Sequence, residues 1–272
     1  MYRELDESLC AEEVRAYLER IGLRRPTVAN RAALDEIIFA HQCSVPFENL
    51  DSAECKVTPH LETRRLFDKI VRRRRGGWCF ELNSLFASLL KALGYSVTAH
   101  FARVYHGGEF MTKPLHRVNL VQIDGTPLYC DVGFGGTTPS ASLALTDGLR
   151  QDIRGEVFFF KPHTARWISL CTETNGAARP LLTFDRESAI AVDFTVPNAF
   201  GASADIRFRD TRVVNLRLPN GKLSLDGNTL TKIVGATTET RTLLTKRELY
   251  NALAEAFGIE LELSPEQSPS FQ

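Results

Sequence analysis

No run of apolar residues in this 272-residue chain approaches the roughly 20 that a helix needs to cross a bilayer. The first residues, Met1-Tyr-Arg-Glu-Leu-Asp-Glu-Ser8, are acidic and polar, without the basic-then-apolar order of a secretory leader. There is no excess of charge either: 33 basic residues stand against 33 acidic ones. That balance gives no bulk attraction to nucleic acid or to an anionic membrane, and neither partner is expected. The six cysteines (10, 43, 55, 79, 130 and 171) contain no Cys-x-x-Cys pair and no zinc-like spacing. Reduced thiols in the cytoplasm are expected, with no disulfide framework and no metal. Internal repeats are absent, and no Gly-Lys-Ser/Thr follows a glycine-rich turn as it would in a P-loop. What is present is ordinary for a globular protein, 43% hydrophobic and 24% charged, and long enough for one large or two to three small domains. The basic run from Arg72 to Arg75 is local and reads as a solvated helix end or loop.

The hydrophobic period changes along the chain. Up to about residue 95 it is helical. One helix carries Val14, Tyr17, Leu18 and Ile21, capped by Ser8 and ended by Gly22. A second carries Leu34, Ile37, Ile38 and His41, a third runs over 61–71, and a fourth over 79–93. From Ser96 the period is two. Strands are predicted over 97–105, 117–123, 128–132, 157–161, 166–172 and 181–184, a series that suggests a small barrel or sandwich. After Pro197 come strands at 212–218, 222–225 and 229–234, separated by Asn220-Gly221 and Asp226-Gly227 turns. A last helix is predicted over 246–257, capped by Thr245 and stopped by Gly258, and a polar tail that reads as flexible begins at Ser264.

The most informative stretch is Arg74-Arg-Gly-Gly-Trp-Cys-Phe-Glu-Leu-Asn83. It puts one cysteine in the first turn of the clearest helix. Unpaired backbone N–H groups and the positive dipole end gather there and favour thiolate over thiol. Gly76 and Gly77 are expected to leave room for a substrate beside the sulfur. A packing cysteine would fit the same pattern, so the partners decide. A thiolate nucleophile needs a base and a group that orients the base. His116 and Asp131 flank an Asp124-Gly125 hairpin signal. If the turn pairs Ile123 with Leu128, His116 falls opposite Gly135 and Asp131 opposite Leu120. Both then lie on one face of the ribbon, a result that survives a register slip of two but not of one. Cys130, next to Asp131, is expected to point the other way and pack.

The block from Arg75 to Asn83 resembles the signature of the arylamine N-acetyltransferases. Val45-Pro-Phe-Glu-Asn-Leu50 resembles that family's early block, and Asp131-Val-Gly-Phe-Gly-Gly136 its aspartate block. His116 stands 37 residues after Cys79 and 15 before Asp131, spacings that fit the family. The stretch from Arg212 to Gly227 resembles its C-terminal region. The resemblance implies an α+β fold with a cysteine-protease/transglutaminase-like core: a helical domain over 1–95 with the nucleophile Cys79, a β-barrel domain over 96–198 with His116 and Asp131, and an α/β lid over 199–272. It implies ping-pong transfer of acetyl from acetyl-CoA, through acetyl-Cys79, to an arylamine or arylhydrazine, or to the oxygen of an N-hydroxyarylamine. It points to Phe47 and Phe134 for the aromatic acceptor; Phe200, at the start of the third segment, is expected to reach the same cleft, and Gly133, Gly135 and Gly136 to let the pantetheine arm approach the backbone. Glu48 and Arg75 are expected to brace the cysteine loop. Leu115 stands where the family often has a small hydroxyl residue. An amide synthase of the same fold with a carrier-bound acyl donor, and a thiol hydrolase or transglutaminase-like enzyme, would use the same three residues. A monomer and a small homo-oligomer both fit.

Overall fold

The computed structural model describes residues 5–106, 109–110, 113–136, 138–174, 176–203 and 209–261, so the polar tail expected from Ser264 lies outside the described residues. The chain opens with helices α1 (Ala11–Arg20) and α2 (Arg31–Ser44), the two-residue strand β1 (Phe47–Glu48), the single turn α3 (Leu50–Ala53), α4 (Thr63–Phe67) and α5 (Cys79–Ala92). Nine strands follow: β2 (Ser96–His106), β3 (Glu109–Phe110), β4 (His116–Ile123), β5 (Thr126–Cys130), β6 (Leu143–Ala144), β7 (Gln151–Ile153), β8 (Glu156–Pro162), β9 (Trp167–Thr174) and β10 (Ala177–Asp185). Helix α6 (Thr195–Gly201) leads to β11 (Val213–Leu218), β12 (Gly221–Asp226), β13 (Thr229–Val234) and β14 (Thr237–Thr242), and α7 (Lys246–Phe257) closes the order.

Helix α5 is the centre of the helical part. Every residue from Cys79 to Leu90 is buried, and Leu82, Leu85, Phe86, Leu89 and Leu90 join the core formed by α1, α2 and α4. Burying each such side chain contributes about 1.5–3 kcal/mol, so its position is strongly determined. Helix α1 starts at Ala11, not behind a Ser8 cap, because Glu13 reaches back to accept from the Cys10 N–H at 2.9 Å. The third helix is shorter than the apolar pattern predicts. After Phe67 the backbone widens into a π turn over Asp68–Arg72, where the Arg73 N–H reaches the Asp68 carbonyl at 2.9 Å. Lys69 lies in this turn and points inward to carboxylates, an attraction that competes with regular helix pitch.

The central strands form an antiparallel sheet in the order β6-β5-β4-β2-β10-β9-β8-β7, with β3 on β2. It curls into a nearly closed barrel whose interior holds Val118, Leu120, Tyr129, Phe158, Phe160, Leu170 and Phe184. The edges β6 and β7 meet through a side chain that imitates a strand. The Gln151 amide accepts from the Ala144 N–H at 2.8 Å and donates to its carbonyl at 3.0 Å. The other face of β4 and β5 carries Val121, Leu128 and Cys130 into the helical core.

A second sheet runs β1-β11-β12-β13-β14. Its Leu223 and Leu225 pack on Leu249, Leu253 and Phe257 of α7. Helix α7 matches its predicted bounds, with Thr245 Oγ1 accepting from the Glu248 N–H and Gly258 in the left-handed conformation. The edge strand β1 ties this sheet to the front of the chain. Phe47 pairs with Asn215 on one side and bridges Gly77, beside the cysteine, on the other.

Candidate active site

Cys79 is the first residue of α5. Trp78 before it is extended, and the Glu81 carboxylate three residues into the helix accepts from the Trp78 N–H at 3.0 Å. This capping contact fixes where the helix begins and so where the sulfur sits. Cys79 is 8% exposed, and its sulfur lies 3.6 Å from the Leu115 carbonyl oxygen. The two glycines ahead of it serve packing, not substrate access. A Cβ on Gly76 would lie 2.0 Å from the Pro46 carbonyl oxygen, and one on Gly77 would lie 2.9 Å from the Glu81 side chain.

The hairpin that supplies the partners is tighter than the four-residue loop supposed above. Asp124 and Gly125 both take positive φ, and Ile123 pairs with Thr126, not with Leu128. The register is shifted by two, so the shared face survives. His116, Val118 and Leu120 on β4 line up with Tyr129 and Asp131 on the barrel side. His116 begins β4 and Asp131 follows the end of β5, so both emerge where α5 starts. His116 Nε2 lies 2.7 Å from Asp131 Oδ2. With Nε2 turned to Asp131, Nδ1 is the ring nitrogen left for Cys79. The structure therefore brings Cys79, His116 and Asp131 together.

The electrostatics follow from that contact. Burial alone would push the imidazole down, but the Asp131 carboxylate and then Cys79 outweigh it and raise its pKa. Burial likewise pushes the Asp131 carboxyl up, and it is overcome by His116, Asn83 and the Gly133 N–H, which hold it low. Four donors converge on this carboxylate. Oδ2 receives His116 at 2.7 Å and the Tyr129 hydroxyl at 3.1 Å; Oδ1 receives Asn83 Nδ2 and the Gly133 N–H, each at 2.8 Å.

Sequence reasoning missed Asn83 and Tyr129. Asn83 lies one helical turn after Cys79 and joins three segments: Nδ2 also donates to the Arg117 carbonyl at 2.6 Å, and Oδ1 accepts from the Val132 N–H at 3.0 Å. The i, i+4 spacing from the cysteine was the available signal. Tyr129 is two residues before Asp131, which places it on the same strand face. Gln42, from α2, holds the Asp131 and Pro139 carbonyls at 3.0 Å each; nothing local in the sequence points to it.

Beneath the cysteine loop lies a buried ionic cluster. Arg75 clamps Glu48 through Nε and Nη2 (3.0 and 2.7 Å) and reaches Asp51 at 2.8 Å. Lys69 bonds Asp51 and Glu81 at 2.8 Å each. The expected Glu48–Arg75 brace is thus part of a five-residue set, and Arg75 belongs to the interior, not to a solvated basic run. Removing one partner of such a cluster strands a buried charge, which typically costs about 3–5 kcal/mol.

Residues 31–266 match the N-acetyltransferase family model. The arylamine N-acetyltransferase of Mycolicibacterium smegmatis is 30% identical over 258 residues, covering 92% of this chain and 93% of its own. The Salmonella typhimurium arylamine N-acetyltransferase / N-hydroxyarylamine O-acetyltransferase is 30% identical over 248 residues, covering 90% and 88%. Among solved structures, the Salmonella typhimurium arylamine N-acetyltransferase superposes with a TM-score of 0.86 at 27% identity over 94% of both chains. The Mycobacterium marinum arylamine N-acetyltransferase in complex with CoA gives 0.83 at 29% identity, over 90% of this chain and 92% of that one. The chain belongs to the arylamine N-acetyltransferase family. Among the described residues, no helix is long and apolar enough to cross a membrane.

The other residues indicated by the family resemblance fall in different places. Phe134 is half-buried and packs edge-on against His116, with ring centroids 5.6 Å apart at 85°. Phe47 is buried under Gly135, where a Cβ would come within 2.7 Å of its ring. Gly133 packs on α5, where a Cβ would meet the Cys79 Cα at 2.8 Å, so it shapes the junction of helix and hairpin. Phe47, Gly135 and Gly136 line a cleft of about 600 Å³ that continues past Arg154, Arg217 and Lys222. Phe200 is outside that lining among the described residues. It sits on α6 beneath the Lys113 ammonium, 4.9 Å from the ring centroid, two residues after Asn198, which accepts from the Trp78 indole N–H at 2.9 Å.

Proposed function

We propose that this chain transfers acetyl from acetyl-CoA to an arylamine or arylhydrazine by a ping-pong mechanism through an acetyl-Cys79 thioester, and that it also acetylates the oxygen of N-hydroxyarylamines. The observation that carries the reading is the 2.7 Å His116–Asp131 contact, on a hairpin end that packs through Gly133 against Cys79. In the first half-reaction the Cys79 sulfur attacks the thioester carbonyl, the carbon–sulfur bond to CoA breaks, and the imidazolium gives its proton to the departing CoA sulfur. In the second, the amine nitrogen attacks the acetyl-cysteine, His116 Nδ1 takes the amine proton, and the cysteine sulfur leaves with the bonding pair. Asp131 holds the imidazole in its tautomer and supports its charged form through both halves.

The surroundings support this assignment. Phe134 stands against the imidazole and Phe47 lies under Gly135 on the wall of the cleft, and these rings offer aromatic surface to an aromatic amine. Phe200 on α6 is assigned to the same acceptor side. Gly135 and Gly136 open onto the cleft, where the pantetheine arm would run over backbone, and Gly133 is assigned to the same arm at the junction with Cys79. Arg154, Arg217 and Lys222 further along suit the CoA phosphates. The six cysteines are all unpaired, Cys10 among them at the surface, which suits a reducing cytoplasm. Initial rates at varied acetyl-CoA and aniline should give parallel double-reciprocal lines and N-acetylaniline as product. Intersecting lines would refute the acyl-enzyme route. Acetate and CoA formed at the same rate without amine would assign a hydrolase, and turnover only with a carrier-bound acyl donor an amide synthase.

A further inference from the structure

The C-terminal half of α5, away from Cys79, borders a separate cavity of about 400 Å³ closed by β2 and the segment over 188–192. Arg117 lies on its wall, on the face of β4 opposite His116, and is 3% exposed. Its Nη1 donates to Ser84 Oγ at 2.5 Å, and the guanidinium lies 4.9 Å from the Phe194 ring centroid. Its Nε has no hydrogen-bond partner, and no carboxylate forms an ion pair with it, among the described residues. Two other arginines of this chain turn the same Nε–Nη2 edge onto a carboxylate, Arg75 onto Glu48 and Arg166 onto Asp185.

The charges around the cavity do not cancel. Lys91, on the same wall, is held by Asp6 at 2.6 and 2.8 Å, so that pair is balanced. Arg117 is left as the excess cation. Burial pulls its pKa down, to about 10, against Asp6 and Cys79, which hold it up, and it remains charged at neutral pH. A buried guanidinium without a counter-ion is strongly disfavoured, and an anion of matching geometry relieves it. Ser188 on the lining brings a hydroxyl group suited to a remaining oxygen of such an ion, while the Thr98 hydroxyl is shared with His100 Nε2 at 2.9 Å.

We propose that this cavity binds a small oxyanion, a carboxylate or inorganic phosphate, with Arg117 as its main ligand and Lys91 at the rim. The site is distinct from the cleft lined by Phe47, Gly135 and Lys222 and does not depend on the acetyl-transfer reading. Thermal unfolding at constant ionic strength, with chloride replaced by phosphate or by acetate, tests it. One of the two anions should raise the midpoint saturably, on the order of a few degrees. The anion that acts assigns the class. The rise should vanish in Arg117→Met, shrink in Lys91→Met, and persist in Lys222→Met, which alters only the large cleft. In the wild type the Arg117 Nε–H NMR signal should shift with the same midpoint. No rise with either anion, an equal rise in the Arg117 and Lys91 variants, or a rise lost only in Lys222→Met would overturn the proposal. If Arg117→Met does not fold, Lys91→Met and the arginine signal decide.

Discussion

Both the helical core and the junction of α5 with the hairpin bury a histidine. His41 lies in the core between Tyr17 and Phe86, with ring centroids at 5.9 and 5.3 Å, and neither of its nitrogens has a hydrogen-bond partner among the described residues. Burial, and then Arg20, push it down to about 3, so it stays neutral. His116 is buried as deeply, yet Asp131 and Cys79 drive it the opposite way. Burial is common to both; the carboxylate and the sulfur make the second a candidate acid and base. The contrast also explains why a lone histidine in a sequence says little until its partners are placed.

The sharpest way to break the contrast is to remove the carboxylate. Asp131→Asn should fold and lose turnover on the order of 10⁴-fold, as serine triads do when their aspartate becomes an amide. The His116 imidazole should then titrate lower, towards the behaviour of His41, by NMR. A loss under about tenfold with the imidazole unmoved would reduce Asp131 to a turn residue.

A smaller effect should come from the residue that holds the carboxylate. Asn83→Ala removes one hydrogen bond to Asp131, worth about 1.5–3 kcal/mol for a charged partner, so acetyl transfer should slow roughly ten- to a hundredfold. The His116 titration should move in the same direction as in Asp131→Asn but less. A variant that loses stability while its imidazole titrates as in the wild type would make Asn83 purely structural.

The effect of His41 should appear in stability, not activity. Its folded pKa lies below the ordinary value of about 6.5, so its contribution is present above that pH and is lost as the pH falls towards 3. By about pH 4 the penalty is roughly 3 kcal/mol. His41→Leu should therefore flatten the decline in urea-unfolding free energy between about pH 6.5 and 4. An unchanged slope would show that another group carries the acid sensitivity.

The same contrast marks how far the sequence could be read. Elements with strong local signals were legible: α5 from its leucine spacing, α7 from Thr245 and Gly258, the hairpin from Asp124-Gly125. The hairpin register was two residues off, yet the face shared by His116 and Asp131 was recovered because side-chain alternation has a period of two. What stayed hidden depends on distant partners. Gly76 and Gly77 read as open space and are instead pressed against Pro46 and Glu81. The π turn at Lys69 answers to carboxylates on α3 and α5. Strand β14, Thr237–Thr242, is exposed throughout and has no apolar alternation to reveal it.

The central claim is that Cys79 carries the acyl group between two substrates. Intact-mass spectrometry of the protein mixed with acetyl-CoA alone tests it most directly. One acetyl group should appear, map to Cys79, persist, and leave when an aniline is added. An unmodified mass while N-acetylaniline still forms, or acetyl found on another residue, would contradict the account.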